Sequence, residues 1–149
     1  MLDFSNSKIL IVGDVMLDKY YFGKVDRISP EAPVPIVNIQ KEESRLGGAS
    51  NVANNIVSLG GHSLLCGVIG HDLFGKEIER ISRHKNIDTF LLKTSSPTIT
   101  KARIIGGKQQ IVRVDYEDKS ELNADNKKLF RDTISRILPE YDILVISDY

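Results

Sequence analysis

The chain is 149 residues long and its 20 Lys and Arg balance 20 Asp and Glu, so no net field draws it toward nucleic acid or an anionic membrane surface. That length holds one α/β domain with a substantial core and is short for two. The single cysteine, Cys66, can close no internal disulfide; set in the apolar run SLLCGVIG, it reads as a small buried hydrophobe of a cytoplasmic protein.

The N-terminus, MLDFSNSKILIVGD, starts acidic, and its apolar run of Ile9 to Gly13 is too short for a signal segment or a membrane span. KILIVGD, Lys8 to Asp14, is a β-branched run closed by Gly and predicts a strand buried on both faces, as in a parallel sheet. YYFGKVDRI and PVPIVNIQ alternate apolar with polar residues and predict half-exposed strands around the stiff turn SPEAP. From Asn51 the pattern turns helical through Val52, Ala53, Ile56 and Val57 and stops at Gly60-Gly61. A second buried strand, Leu64 to Ile69, leads to a helix from about Asp72 with Leu73, Phe74, Ile78 and Ile81 on one face, and NIDTFLL is a further strand. The alternation of strand and helix predicts a parallel sheet.

TITKARIIGGKQQIVRVDYE then reads as a hairpin turning at Gly106-Gly107-Lys108. Asn123 to Leu138 places Leu129, Phe130, Ile134, Ile137 and Leu138 at helical spacing ahead of Pro139, and DILVISDY is the last strand. Ligand sites of parallel α/β sheets lie beyond the carboxyl ends of the strands, so Asp148-Tyr149 sits where a site loop is expected to begin.

GHDLFGKE, Gly70 to Glu77, differs by one letter from a phosphate-binding loop, G-x-x-x-x-G-K-[ST], whose final hydroxyl ligates Mg²⁺. Glu77 stands at that position and would repel phosphate, so the structural reading is favoured: Asp72 caps a helix in which Gly75 permits close packing. Strand one ends in GDVMLD and not in G-x-G-x-x-G, which disfavours a dinucleotide-binding dehydrogenase. A stronger signal is Gly47-Gly48-Ala49-Ser50-Asn51. Its glycines let backbone approach a ligand at a helix N-terminus, and Asn51 can both donate to and accept from hydroxyls; the plainer reading is a Gly-rich turn capped by Ser50 or Asn51.

Asp14 and Asp18 lie at or just past the end of the first strand, where carboxylates suit sugar hydroxyls, or serve as caps and solvated turn residues. Lys101 and Arg103, alternate residues of a hairpin strand, share a face and could clamp a phosphate or stand as ordinary solvated charge. His62, His71 and His84 have no metal-like spacing with Cys66 or with one another, and no metal site is expected.

Taken in order, GDVMLD, RISPEAPVPIV, LGGASNVANNIVSLGG, GVIGHDLFGKE, the TKAR hairpin and DILVISDY resemble the ribokinase-like (PfkB) sugar kinases over nearly all 149 residues, most closely those acting on heptose 7-phosphate. GGASNVA and ISPEAPVP are the most specific pieces. The resemblance implies a three-layer α/β sandwich with a central, mostly parallel sheet and a small β lid, of which this chain is the N-terminal part, with lid strands about 20–40 and 98–115. It implies sugar contacts from Asp18, Gly47, Gly48 and Asn51, with Asp14 beside them, and a substrate phosphate met by Lys101, with Arg103 as second choice. GHDLFGKE matches a G-x-D-x-x-G segment that has no phosphate-loop role in the family.

The implied reaction transfers the γ-phosphoryl of ATP, with Mg²⁺, to the C1 hydroxyl of D-glycero-β-D-manno-heptose 7-phosphate, for ADP-heptose and lipopolysaccharide core synthesis. The implied assembly is a homodimer through the lid, with neither nucleic acid nor membrane as partner. Family members carry the ATP site and the G-A-G-D segment with its general base in the C-terminal half, so no catalytic or cofactor residue is expected here and the isolated chain is expected to be inactive. The alternative is a stand-alone sugar-phosphate-binding or dimerising module without catalysis.

Overall fold

The computed structural model describes residues 6–149; residues 1–5, which hold the acidic start noted above, lie outside the described residues. The elements are β1 (Lys8–Gly13), β2 (Val15–Ile28), β3 (Pro35–Gly47), α1 (Gly48–Ser58), β4 (His62–Gly70), α2 (Leu73–His84), β5 (Asp88–Thr94), β6 (Thr100–Gly106), β7 (Gln109–Tyr116), α3 (Ala124–Ile137), a 3-10 turn at Leu138–Glu140 and β8 (Ile143–Ser147). Four strands form a sheet in the order β5-β4-β1-β8, parallel throughout. The apolar runs that predicted these strands fill its centre: Leu10, Ile11 and Leu65 are wholly buried, and Ile11 and Leu65 share a cluster with Ala49 and Ala53 of α1 and Ile78 and Ile81 of α2. Each such Leu or Ile contributes about 1.5–3 kcal/mol by leaving water. Cys66 lies in this core, where burial pushes its thiol up to about 12 and leaves it unreactive.

The remaining strands form a second sheet in the order β3-β2-β6-β7, in which only the β2 and β6 pair is parallel. Its first two strands are longer than periodicity suggested. β2 begins at Val15, directly after Asp14, and β3 runs on from PIVNIQ through the charged stretch KEESRLG. Pairing along the whole length overrides the low strand propensity of Lys and Glu, aided by the Lys19 to Glu42 contact of 3.4 Å across the two strands.

Two helix faces also differ from expectation. Leu73 is 79% exposed, because the packed stripe of α2 is Phe74, Ile78 and Ile81 and Leu73 lies about 100° around the helix from Phe74. Leu129 is exposed for the same reason, one step from Phe130, whose ring stacks 6.0 Å from Phe90. The first helix begins at Gly48, three residues before the apolar periodicity does.

Asp72 caps α2, its Oδ1 accepting from the Gly75 amide at 2.7 Å, and it also receives the Thr98 amide at 2.8 Å and the Thr98 hydroxyl at 2.7 Å. Burial pulls the Asp72 carboxyl upward, but these hydrogen bonds outweigh it and hold the group below its ordinary value of 3.8. A carboxyl depressed in the folded state adds stability above its unfolded pKa and loses that contribution as pH falls through the folded value. Thermal unfolding followed from about pH 6 down to about pH 2 is therefore expected to show a Tm that drops below about pH 4. In Asp72→Asn the drop is smaller, from a starting stability already lower by about 1–2 kcal/mol, since an amide NH₂ would face the Thr98 N–H.

Candidate functional site

At the carboxyl end of β1 the chain passes from the parallel sheet into the second sheet with no loop. The Asp14 amide donates to the Ser147 carbonyl (3.0 Å), its carbonyl accepts from the Ala49 amide (2.9 Å), and its carboxylate accepts from the Tyr149 amide (3.0 Å). Gly47 and Gly48 are packed against this crossing. Gly48 has φ +52, and a Cβ there would overlap the Asp14 carbonyl; a Cβ on Gly47 would lie 2.6 Å from Asp18 Oδ2. The glycine pair is what lets Asp14 and Asp18 stand against the start of α1.

No side chain caps that helix. Gly47 occupies the cap position, and Ser50 is buried inside the first turn with its Oγ 2.6 Å from the Gly47 carbonyl and 3.1 Å from the Met16 carbonyl. The capping role considered for Ser50 or Asn51 is thereby corrected: the position falls three residues earlier, on a residue without a side chain. Asn51 lies exposed in the first turn.

Asp18 is not in a turn; it sits in β2, in register with Arg45 of β3 and Lys101 of β6, which in turn faces Asp115 of β7. The next row on the same face is Glu43, Tyr20, Arg103 and Arg113. Arg103 reaches diagonally to Asp18, with Nη1 to Oδ1 at 2.6 Å and both side chains about one-fifth exposed. Burial disfavours the Arg103 charge, but the Asp18 hydrogen bond and charge more than offset it, so the guanidinium is held protonated. The Tyr20 ring has two guanidiniums near it, Arg45 at 4.8 Å and Arg103 at 5.2 Å. Lys101 is held more loosely, 3.4 Å from Asp115 and 3.7 Å from Glu117.

A cavity of about 510 Å³ opens where the two sheets meet, and Asp14, Lys101, Asp115, Glu117 and Tyr149 are among its lining residues. It contains two of the seven residues singled out from the sequence, Asp14 and Lys101. Asp18 and Arg103 form the ion pair beside it, Gly47 and Gly48 shape the crossing beneath Asp18 and Asp14, and Asn51 makes no side-chain hydrogen bond to the others. Arg45, Tyr20 and Asp115 belong to the same charged face and were missed by the sequence. Only the strand register brings them there, although alternation from Lys101 and Arg103 across the Gly107-Lys108 turn would have indicated Asp115.

GHDLFGKE does not form a phosphate-binding loop. Gly75 is buried within α2 and Lys76 is exposed on it, so the segment has no open loop of free amides. His62, His71 and His84 are all exposed, and among the described residues no cluster of His, Cys, Asp and Glu is placed to hold a metal ion. Around the cavity the described residues place carboxylates, which can accept from hydroxyls, beside Lys and Arg, which can pair with an anion.

The model of the pfkB family of carbohydrate kinases matches residues 6–148. The chain is 47% identical over 142 residues to a bifunctional protein HldE of Nitratiruptor, covering 95% of this chain and 31% of that protein. It is 47% identical over 146 residues to a D-beta-D-heptose 7-phosphate kinase of Bordetella bronchiseptica, covering 97% and 46%. The chain therefore spans less than half the length of these relatives. Among solved structures it resembles phosphofructokinase-2 of Escherichia coli in complex with fructose-6-phosphate, with a TM-score of 0.70 at 19% identity, covering 95% of this chain and 45% of that one.

Gly60 supplies the control for the crossing: its φ is +88 and nothing lies within 4 Å of a Cβ built there, whereas Gly48 combines positive φ with a collision against backbone. Gly60→Ala is expected to cost about 1–2 kcal/mol from backbone strain alone. Gly48→Ala is expected to cost about 1–3 kcal/mol more, read from urea unfolding midpoints of the two variants.

Proposed function

This chain belongs to the pfkB family of carbohydrate kinases, and on that premise we propose that it supplies the sugar-binding side of an ATP-dependent kinase that phosphorylates D-glycero-β-D-manno-heptose 7-phosphate at C1. The observation that carries the reading is the meeting of Asp14 and Lys101 in one polar cavity beside the Asp18 and Arg103 pair, at the carboxyl end of a parallel sheet. The choice of sugar is supported by the 47% identity to a heptose 7-phosphate kinase.

Asp14 and Asp18 accept hydrogen bonds from the sugar hydroxyls, and Asn51 at the open start of α1 serves a further hydroxyl. Lys101 takes the 7-phosphate, leaving its long contacts to Asp115 and Glu117 for a shorter one to a dianion; Arg103, tied at 2.6 Å, is the slower to release. Phosphoryl transfer depends on positioning and on charge stabilisation. The sequence has no G-A-G-D segment, the family's source of the general base, so the isolated chain holds the acceptor without transferring to it. The work is cytoplasmic and feeds ADP-heptose and lipopolysaccharide core synthesis.

The second sheet acts as the lid and also joins two copies. Its face opposite the charges carries the Lys19 and Glu42 pair in the middle but is apolar toward the outer end, and α2 covers only the inner part, with Phe74 5.6 Å from Tyr116. The outer part, including Val34, Ile39, Ile111 and Val112, is exposed around a groove of about 570 Å³. A two-sided strand layer with an apolar outer face is stable in water when a like face covers it.

Calorimetric titration of the isolated chain with heptose 7-phosphate is expected to give saturable binding that Lys101→Ala weakens about 10- to 100-fold, with little further loss when the sugar lacks its phosphate. No ADP should form when ATP is added; turnover by the isolated chain, or Lys101→Ala binding as the parent does, overturns the reading. Sedimentation velocity is expected to show a dimer that Val112→Glu converts to monomer without loss of helical signal.

A further inference from the structure

The conspicuous segment GHDLFGKE does not fold as a phosphate loop, and its residues form a close polar cluster outside the charged face. Asp72 Oδ1 accepts from the Gly75 amide and the Thr98 hydroxyl, both at 2.7 Å, and Oδ2 accepts from the Thr98 amide at 2.8 Å. The Thr98 hydroxyl in turn accepts from the Gly70 amide at 2.9 Å, closing a ring through two segments that lie 26 and 28 residues apart. Thr98 is wholly buried. Both glycines of the segment are needed for the approach: a Cβ on Gly70 would lie 2.7 Å from Asp72 Oδ2 and 2.8 Å from the Thr98 amide, and one on Gly75 would lie 2.6 Å from the Gly70 carbonyl and 3.0 Å from the Thr98 hydroxyl.

This ring sits where the chain passes from the parallel sheet to the second sheet for the second time. β5 ends at Thr94, β6 starts at Thr100, and Thr98 is fixed between them. The next residues are equally constrained: the Ile99 carbonyl accepts from the Leu17 amide at 2.9 Å, Thr100 is wholly buried, and Lys101 follows in register with Asp18. From the Asp72 contact at Thr98 through to Lys101, each residue is therefore held by burial, by a hydrogen bond or by strand pairing.

We propose that the Asp72 and Thr98 clamp is a positioning device that sets the height of β6 over the parallel sheet and thereby aims Lys101 at the substrate's phosphate. Neither residue touches substrate; both act through Lys101. The inference rests on the sugar-phosphate reading above and adds a cause for the G-x-D-x-x-G spacing: the aspartate must cap the helix and hold the hinge at once, and the glycines must let the hinge come close. A displacement of Lys101 by about 1 Å is enough to lower productive binding substantially.

The test uses steady-state kinetics of the whole natural protein with heptose 7-phosphate and ATP. Thr98→Val, which keeps the shape and removes the hydroxyl, is expected to raise the KM for the sugar phosphate about 10-fold while the KM for ATP stays within about 2-fold, and Thr98→Ser restores the parent value. In a Lys101→Ala background the same Thr98→Val change adds less than about 2-fold, because the group it positions is gone. Asp72→Asn repeats the pattern if Thr98→Val fails to fold. Full additivity in the Lys101→Ala background, or an equal rise in the KM for ATP, overturns the clamp and leaves Asp72 and Thr98 as ordinary fold stabilisers. If Lys101→Ala affects the sugar-phosphate KM but Thr98→Val does not, the clamp alone fails; a silent Lys101→Ala removes the sugar-phosphate reading and the clamp with it.

Discussion

The two sheets meet along a seam only one backbone wide, and the placing of every candidate group follows from that closeness. Asp14 joins the two sheets through the chain itself, hydrogen-bonded to Ser147 of the parallel sheet and to Ala49 at the start of α1, with β2 starting at the next residue. A polypeptide can be packed so tightly against another only where side chains are missing. A Cβ added to Gly47 or Gly48 at one crossing, or to Gly70 or Gly75 at the other, would come within about 3 Å of an oxygen or amide. The seam therefore exchanges core volume for backbone proximity. Conformational freedom lost at four glycines is offset by hydrogen bonds that a wider junction could not make, and the reward is a rigid platform for charged side chains.

Much of this platform could be read from residue patterns, and the unread part shares one cause. The strands of the parallel sheet were legible because a strand buried on both faces must be a continuous apolar run, and KILIVG and SLLCGVIG are such runs. The hairpin was legible because Gly-Gly-Lys between alternating segments admits few other conformations, and Gly107 does adopt φ +64. What escaped was decided by pairing. KEESR reads as a polar surface segment, and only its long antiparallel partner makes it a strand. Arg45 then becomes part of the site because it faces Asp18 across 27 residues of sequence, which no local pattern encodes. The helix cap failed for a related reason: Ser50 looks like a cap by residue type, but the Gly47 carbonyl and the Met16 carbonyl of β2 claim its hydroxyl. The glycine pair, Asp14, Asp18 and Lys101 were visible because their chemistry is local: a Gly pair before a helix, a carboxylate at a strand end, a cation on a strand face.

The charged face of the second sheet is arranged so that its cations do not repel one another while no ligand is bound. Its first row alternates in sign, Arg45, Asp18, Lys101, Asp115, so each cation has a carboxylate neighbour before any ligand arrives. A row of unpaired cations would repel itself and bind any passing anion; alternation removes both effects at the cost of competition with the intended ligand. The distances grade that competition. Glu43 binds Arg45 and Lys41 at 2.6 Å each, and Asp18 binds Arg103 at 2.6 Å, whereas Lys101 keeps two carboxylates at 3.4 and 3.7 Å. Among the paired cations of these two rows, Lys101 gives up least to an arriving dianion, while the exposed Lys119 at the same cavity, 3.5 Å from Glu117, is as loosely held. Displacing Arg103 means leaving Asp18 half-buried without its partner, unless sugar hydroxyls take over that carboxylate at the same moment. A ligand that offers phosphate alone leaves Asp18 stranded, and one that offers hydroxyls alone leaves Lys101 with its weak contacts. On the proposed reading, only a molecule carrying both relieves the whole network, and selectivity for a sugar phosphate would follow from what each incomplete ligand leaves unpaired.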